Sequence, residues 1–149
     1  MKQSIFPDII LIMDIRGELE RLGLSPESAV VIGSGILNAL HLRESKDIDV
    51  VVREKTYKKL KRSGRFQEKF FHSCKVLRGG LFEIGTSWGV LGRIWRFADL
   101  EKQSTVINGV RYIKIEFLLR VKKSWIADGK GRKKDLEDVR LIEKYLSSA

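Results

Sequence analysis

Asp47 and Asp49 stand one residue apart in the run DIDVVV, which closes the stretch VVIGSGILNALHLRESKDIDVVV over residues 30–52. Carboxylates seldom sit among apolar residues unless they are paired or hold a metal. Alternate side chains of a strand share a face, so Asp47 and Asp49 are expected to point one way while Ile48 and Val50 enter the core. Their spacing, roughly 6–7 Å along a strand, suits one or two hard cations, and a cation pair is the usual clamp for in-line phosphoryl or nucleotidyl displacement. Upstream, Gly33-Ser34-Gly35 joins a short β-branched strand, 29–32, to a helix carrying Ile36, Leu37, Leu40 and Leu42. Strand, glycine turn and helix start together offer backbone N–H groups to phosphate. The competing readings are a tight turn with Ser34 as N-cap, and a solvated strand end beside Lys46.

Other elements must hold these residues in place. Apolar residues at helical spacing predict an amphipathic helix over 7–22, ended by Gly23. Strand 47–52 is followed by a basic helix or turn, 53–62, and Gly64 closes it. Strands are expected over 69–77 and 81–84, with Arg78-Gly79-Gly80 as the hairpin turn. The mixed pattern of 86–103, with Trp88 and Trp95, reads as a loop plus a short helix. Asn108-Gly109 marks a hairpin over 105–115. A helix starts near Glu116, and a basic loop over 128–133 leads to a last helix. There Leu136, Val139, Ile142 and Leu146 make one apolar stripe, and Asp135, Glu137 and Asp138 complement the helix dipole.

The length of 149 residues suits one domain, 1–149, and 43% hydrophobic with 32% charged residues supplies both a core and a solvated surface. A net charge of +10 favours anionic partners and argues against a polycationic substrate. One cysteine, Cys74, excludes an internal disulfide, fits a reducing cytoplasm and is expected in the core. No window approaches a membrane span, and the apolar run 9–13 is bracketed by Asp8, Asp14 and Arg16 with no cleavage site after it. A cytoplasmic protein with no membrane contact is therefore expected. His41 and His72 lack zinc-ligand spacing. Trp88 and Trp95 read as core more readily than as base-stacking residues, and the run KGRKK over 130–134, with Lys122 and Lys123, reads as a groove or a solvated face.

VVIGS followed by DIDVVV resembles the core pattern of the nucleotidyltransferase superfamily of the DNA polymerase β fold. GVRYIKIEFLLRVKKSW and GRKKDLEDVRLIEKYL look like the C-terminal part of its minimal members, including antibiotic-modifying enzymes and AbiEii-type toxins, in which a Lys-Asp-x-x-Asp helix closes the domain. The resemblance implies an α/β (α+β) fold, a mixed β-sheet flanked by helices with further helices at the C-terminus. It implies a nucleoside triphosphate substrate, ATP among the candidates, held by Gly33 and Ser34, with Mg²⁺ ligated by Asp47 and Asp49; Lys46, directly before the aspartates, reads as a further phosphate contact or as a surface lysine. It also implies a third carboxylate on a neighbouring strand that completes the metal site and accepts the proton of the attacking hydroxyl. Glu83 is favoured for that place and Glu116 is the alternative, each a Glu where the family more often has Asp. The positive charge then favours an anionic acceptor, the end of a tRNA or an acidic protein surface. A chain this short would form its acceptor site between two copies or with a partner protein. The alternative is an inactive nucleotide- or RNA-binding module of the same fold, a regulator or toxin–antitoxin component.

Overall fold

The computed structural model describes residues 12–71 and 74–148. In chain order its elements begin with α1 (Ile15–Arg21), β1 (Ala29–Ile32), α2 (Gly35–Ala39), β2 (Ile48–Val52) and α3 (Glu54–Arg62). Next come β3 (Gln67–Phe71), β4 (Cys74–Gly79), β5 (Phe82–Gly85), β6 (Ser87–Val90), β7 (Arg93–Arg96) and α4 (Phe97–Glu101). The chain continues through β8 (Ser104–Ile107), β9 (Val110–Ile113), α5 (Ile115–Ala127) and α6 (Lys133–Ser148).

Val30, Val31, Val50, Val51 and Val52 are all at most 1% exposed. Strands covered on both faces need apolar residues at successive positions, which is why AVVI and VVV run without alternation. Each such side chain contributes about 1.5–3 kcal/mol by leaving water. These runs put β1 and β2 in the middle of a seven-stranded mixed sheet of order β3-β4-β5-β2-β1-β9-β8. β2 pairs parallel with β5 and β1 parallel with β9, while the remaining neighbours are antiparallel. β6 and β7 form a separate hairpin whose Trp95 packs edge-on against Phe117 of α5, ring centroids 5.0 Å apart.

Several expectations change. The predicted helix over 7–22 starts at Ile15, where the Asp14 side chain accepts from Gly17 N at 3.0 Å. Residues 7–11 of that prediction, with most of the apolar run 9–13, lie outside the described residues, as does His72. The single strand predicted over 69–77 is a hairpin, β3 pairing with β4. β3 is exposed along nearly its whole length, so no apolar alternation marked it. Cys74 is exposed at that hairpin rather than in the core. The segment 86–103 holds the β6–β7 hairpin before its short helix. Leu136 is 43% exposed, and the inward face of α6 carries Asp135 and Asp138 beside Val139 and Ile142. No helix among the described residues is long and apolar enough to cross a membrane.

Candidate active site

β2 begins at Ile48, so Asp47 lies on the approach to the strand and Asp49 within it. The parallel register pairs Asp49 with Glu83 of β5, which brings two residues 34 positions apart onto one face of the sheet as neighbours. On the other side Asp49 pairs with Ile32 of β1, directly before Gly33 and Ser34. Gly33 has φ +65, and a Cβ there would stand 3.2 Å from Asp49 Oδ2. Glycine is needed at that position both for the left-handed backbone and for the approach to the carboxylate. Gly33→Ala is expected to cost about 1–2 kcal/mol, from the left-handed penalty alone, in a urea melt.

Two buried polar residues fasten this turn to the aspartates. Ser45 Oγ donates to Asp47 O at 2.9 Å and lies 3.1 Å from Ser34 Oγ. Asn38 Oδ1 accepts from Ser45 N and from Met13 N, both at 3.1 Å, and its Nδ2 donates to Met13 O at 2.9 Å. Ser34 stands at the N-cap of α2 but makes no side-chain cap bond; its hydroxyl turns to Ser45 instead. Since α2 has only five residues, any phosphate contact here would draw on the free N–H groups of the turn more than on a helix dipole. Asn38 was missed by sequence reasoning, for a helical Asn carries no signal of being 2% exposed and tying three segments together.

Burial pushes the Asp49 carboxyl up to about 7, and the adjacent Glu83 and Asp47 carboxylates push in the same direction, with Arg78 opposing them. Such crowding is relieved by a cation. Asp47, Asp49 and Glu83 supply the oxygen donors that a hard divalent ion takes, so the donor chemistry fits Mg²⁺. Glu83 Oε1 is meanwhile engaged by Arg78, whose Nε and Nη2 donate at 3.2 and 2.9 Å. Among the described residues no three His, Cys, Asp or Glu side chains converge as a ready ligand shell.

The carboxylates share their cleft with a basic wall. Gly33, Ser34, Asp47, Asp49 and Glu83 line a cleft of about 320 Å³ that is also lined by Arg43, Lys122, Arg132 and Lys134. The wall is built by buried ion pairs. Lys122 Nζ lies 2.7 Å from Asp135 Oδ1 and 3.0 Å from Asp138 Oδ2, while Arg43 grips Asp138 with two hydrogen bonds of 2.7 and 2.8 Å. Asp135 also accepts from Arg132 N at 2.9 Å, which starts α6. Asp135 and Asp138, two of the three acidic residues expected to serve the helix dipole, thus join α6 to α5 and to the segment after α2, while Glu137 is exposed. Arg43 and Lys122 are neutralised by these two aspartates, while the exposed Arg132 makes only a looser pair with Asp135 at 3.6 Å, so Arg132 and Lys134 are the less committed charges at the cleft.

Burial raises both aspartates, but the hydrogen bonds from Lys122, and for Asp138 first those from Arg43, hold them below the ordinary carboxylate range. Groups with a lowered folded pKa stabilise the fold above their unfolded value and lose that contribution as pH falls through the folded one. Urea melts at falling pH are expected to show stability dropping below about pH 4, and Asp138→Asn should flatten that limb.

Lys46 is exposed and does not line the cleft; Arg43, three residues earlier, does. Glu116 is exposed in the first turn of α5 and is absent from the cleft lining. Trp88 and Trp125 line the cleft, while Trp95 donates through Nε1 to Val90 O at 2.9 Å and packs on Phe117. Lys123 pairs with Glu143 at the surface, away from the cleft.

No family model and no curated protein matches the chain. Solved structures do. The antibiotic-resistance factor ANT(2'')-Ia, a nucleotidyltransferase, aligns in its solution structure with TM-score 0.57 and 14% identity over 89% of this chain and 80% of its own. Its crystal structure with adenylyl-2''-tobramycin aligns equally well, at 15% identity, covering 89% and 85%. JHP933 from Helicobacter pylori aligns with TM-score 0.54 and 21% identity over 87% of this chain and 63% of its own. The chain therefore has the nucleotidyltransferase fold, a mixed sheet flanked by helices.

Proposed function

We propose that this protein transfers a nucleoside monophosphate from a nucleoside triphosphate to a hydroxyl acceptor. The observation that carries the reading is the two-signed cleft, in which Asp47, Asp49 and Glu83 beside the Gly33-Ser34 turn share one lining with Arg43, Lys122, Arg132 and Lys134. The turn N–H groups and Ser34 would bind the β- and γ-phosphates, with Arg132 and Lys134 offsetting their charge. Asp47, Asp49 and Glu83 would hold Mg²⁺, which when bound neutralises phosphate charge and orients the α-phosphate. The acceptor oxygen forms a bond to the α-phosphorus, the α–β phosphoanhydride bond breaks, and pyrophosphate leaves. Glu83 takes the hydroxyl proton. Trp88 and Trp125 would screen the cleft from water.

The net charge of +10 supports an anionic acceptor, a tRNA end or an acidic protein surface, reached in the cytoplasm. An AbiEii-type toxin role rests on the Lys-Asp-x-x-Asp pattern at Lys134, Asp135 and Asp138, whose two carboxylates have structural partners in this fold. A second copy or a partner chain would complete the acceptor site. A second reading, a binding module without catalysis, is favoured by the Arg78 contact that occupies Glu83.

The test is incubation with each of the four labelled nucleoside triphosphates, Mg²⁺ and total tRNA or cell extract. Label transferred by the wild type and absent with Asp47→Ala/Asp49→Ala supports transfer and names base and acceptor. No label, with nucleotide binding that the double variant retains, overturns it in favour of the binding module.

A further inference from the structure

The row of paired residues does not stop at Glu83. Glu83 pairs with Arg78 of β4, and Arg78 with Gln67 of β3, so one face of the sheet carries Asp49, Glu83, Arg78 and Gln67 in sequence outward. By the same alternation Lys69 and Phe71 of β3 share that face, whereas Phe70 and Lys75 share the opposite one. Phe71 is 40% exposed, and the Arg78 guanidinium sits 4.5 Å from its ring centroid while bonded to Glu83. Arg78 thus links the candidate catalytic carboxylate to an open aromatic ring, with exposed Lys69 on the same face.

We propose that this outer half of the carboxylate face is the acceptor platform and that it takes the unpaired end of a single-stranded nucleic acid. The inference rests on the nucleotidyltransferase reading for its placement beside the reacting carboxylates. An aromatic ring flanked by cations matches a base stacked beside its phosphates, and only an unpaired base offers a free face to it. An apolar protein partner is a poorer match, since the two exposed rings, Phe70 at 66% and Phe71 at 40%, lie on opposite faces and form no joint patch. A strand end stacked on Phe71 would run past Arg78 towards Glu83, which directs its terminal hydroxyl to the cleft.

The experiment is fluorescence anisotropy of labelled single-stranded 12-mer RNA and DNA homopolymers with the full chain, in EDTA and without nucleotide. Phe71→Ala is expected to weaken binding roughly tenfold, and Phe70→Ala, on the other face, to change it less than twofold. Lys69→Gln should reduce the slope of log affinity against log salt by about 0.7. Absence of binding, equal losses for the two phenylalanines, or equal affinity for a duplex would each overturn the platform. So would self-association in sedimentation that Phe71→Ala abolishes while oligonucleotides do not bind, which would make this edge an interface between copies. Because the assay contains neither Mg²⁺ nor triphosphate, it separates the two claims. Transfer to some other acceptor without oligonucleotide binding removes the platform alone, and Phe71-dependent binding without any transfer removes the enzyme alone.

Discussion

Asp49→Asn is expected to lower nucleotidyl transfer by about 10³-fold or more and, in the same protein, to raise the stability of the metal-free fold. The loss of activity follows from removing one of the carboxylates that would hold Mg²⁺, an ion asked to supply several kcal/mol of charge stabilisation in the transition state. The gain in stability follows from electrostatics. Burial, Glu83 and Asp47 together raise the Asp49 carboxyl to about 7, so above that pH the fold holds a half-buried negative charge against two others. A group whose folded pKa is raised makes the fold less stable as pH climbs from its unfolded value to its folded one, here from about 4 to 7. Asparagine keeps the shape and deletes the charge. After allowance for solvent screening, the variant should be more stable at pH 8 in EDTA by about 1–3 kcal/mol. Thermal melts check the second half: the variant should melt higher than the wild type in EDTA, and Mg²⁺ should raise the melting temperature of the wild type alone. A variant that melts lower in EDTA would show that Asp49 is held by favourable contacts, and the crowding account of the site would fall.

The largest loss of stability is expected from Asp138→Ala. Asp138 has 2% of its side chain exposed and meets two cations, Lys122 at 3.0 Å and the forked guanidinium of Arg43. Removing it strands part of the charge on Lys122, itself 6% exposed, and releases Arg43 from the basic wall. Breaking a buried pair from one side costs about 3–5 kcal/mol, because the remaining charge stays out of water without its partner. In a chain of this length the melting temperature should fall by on the order of 10 °C. Replacing Lys122 and Arg43 by Met together with Asp135 and Asp138 by Leu is expected to be far milder than the single change, since no buried charge is left without its partner. Equal losses in the two variants would mean that packing, not charge, sets the cost. This network also explains how a short chain shapes its cleft: the same carboxylates that seat α6 on α5 hold Lys122 and Arg43 at its rim.

The central strands, the glycine turn and the Asn108-Gly109 hairpin were legible in the sequence because their causes are local. Unbroken β-branched runs report burial on both faces, and Gly33 and Gly109 adopt the positive φ that other residues resist. Asp47 and Asp49 stood out for the same reason, as charges inside such a run. Edge elements carried no such mark: β3 is exposed on both faces, so its sequence is free of the alternation that would reveal it, and the β6–β7 hairpin keeps each strand to four residues. The partners of each candidate residue were set by tertiary structure alone. Whether Glu83 or Glu116 stands beside Asp49 depends on parallel pairing of β2 with β5 across a 34-residue separation. Whether Asp135 and Asp138 face solvent or Lys122 and Arg43 depends on how α6 docks. A sequence records which side chains exist and how they repeat along one element, whereas register and docking are fixed by burying all elements together, and that is what brought the carboxylates and the basic wall to one cleft.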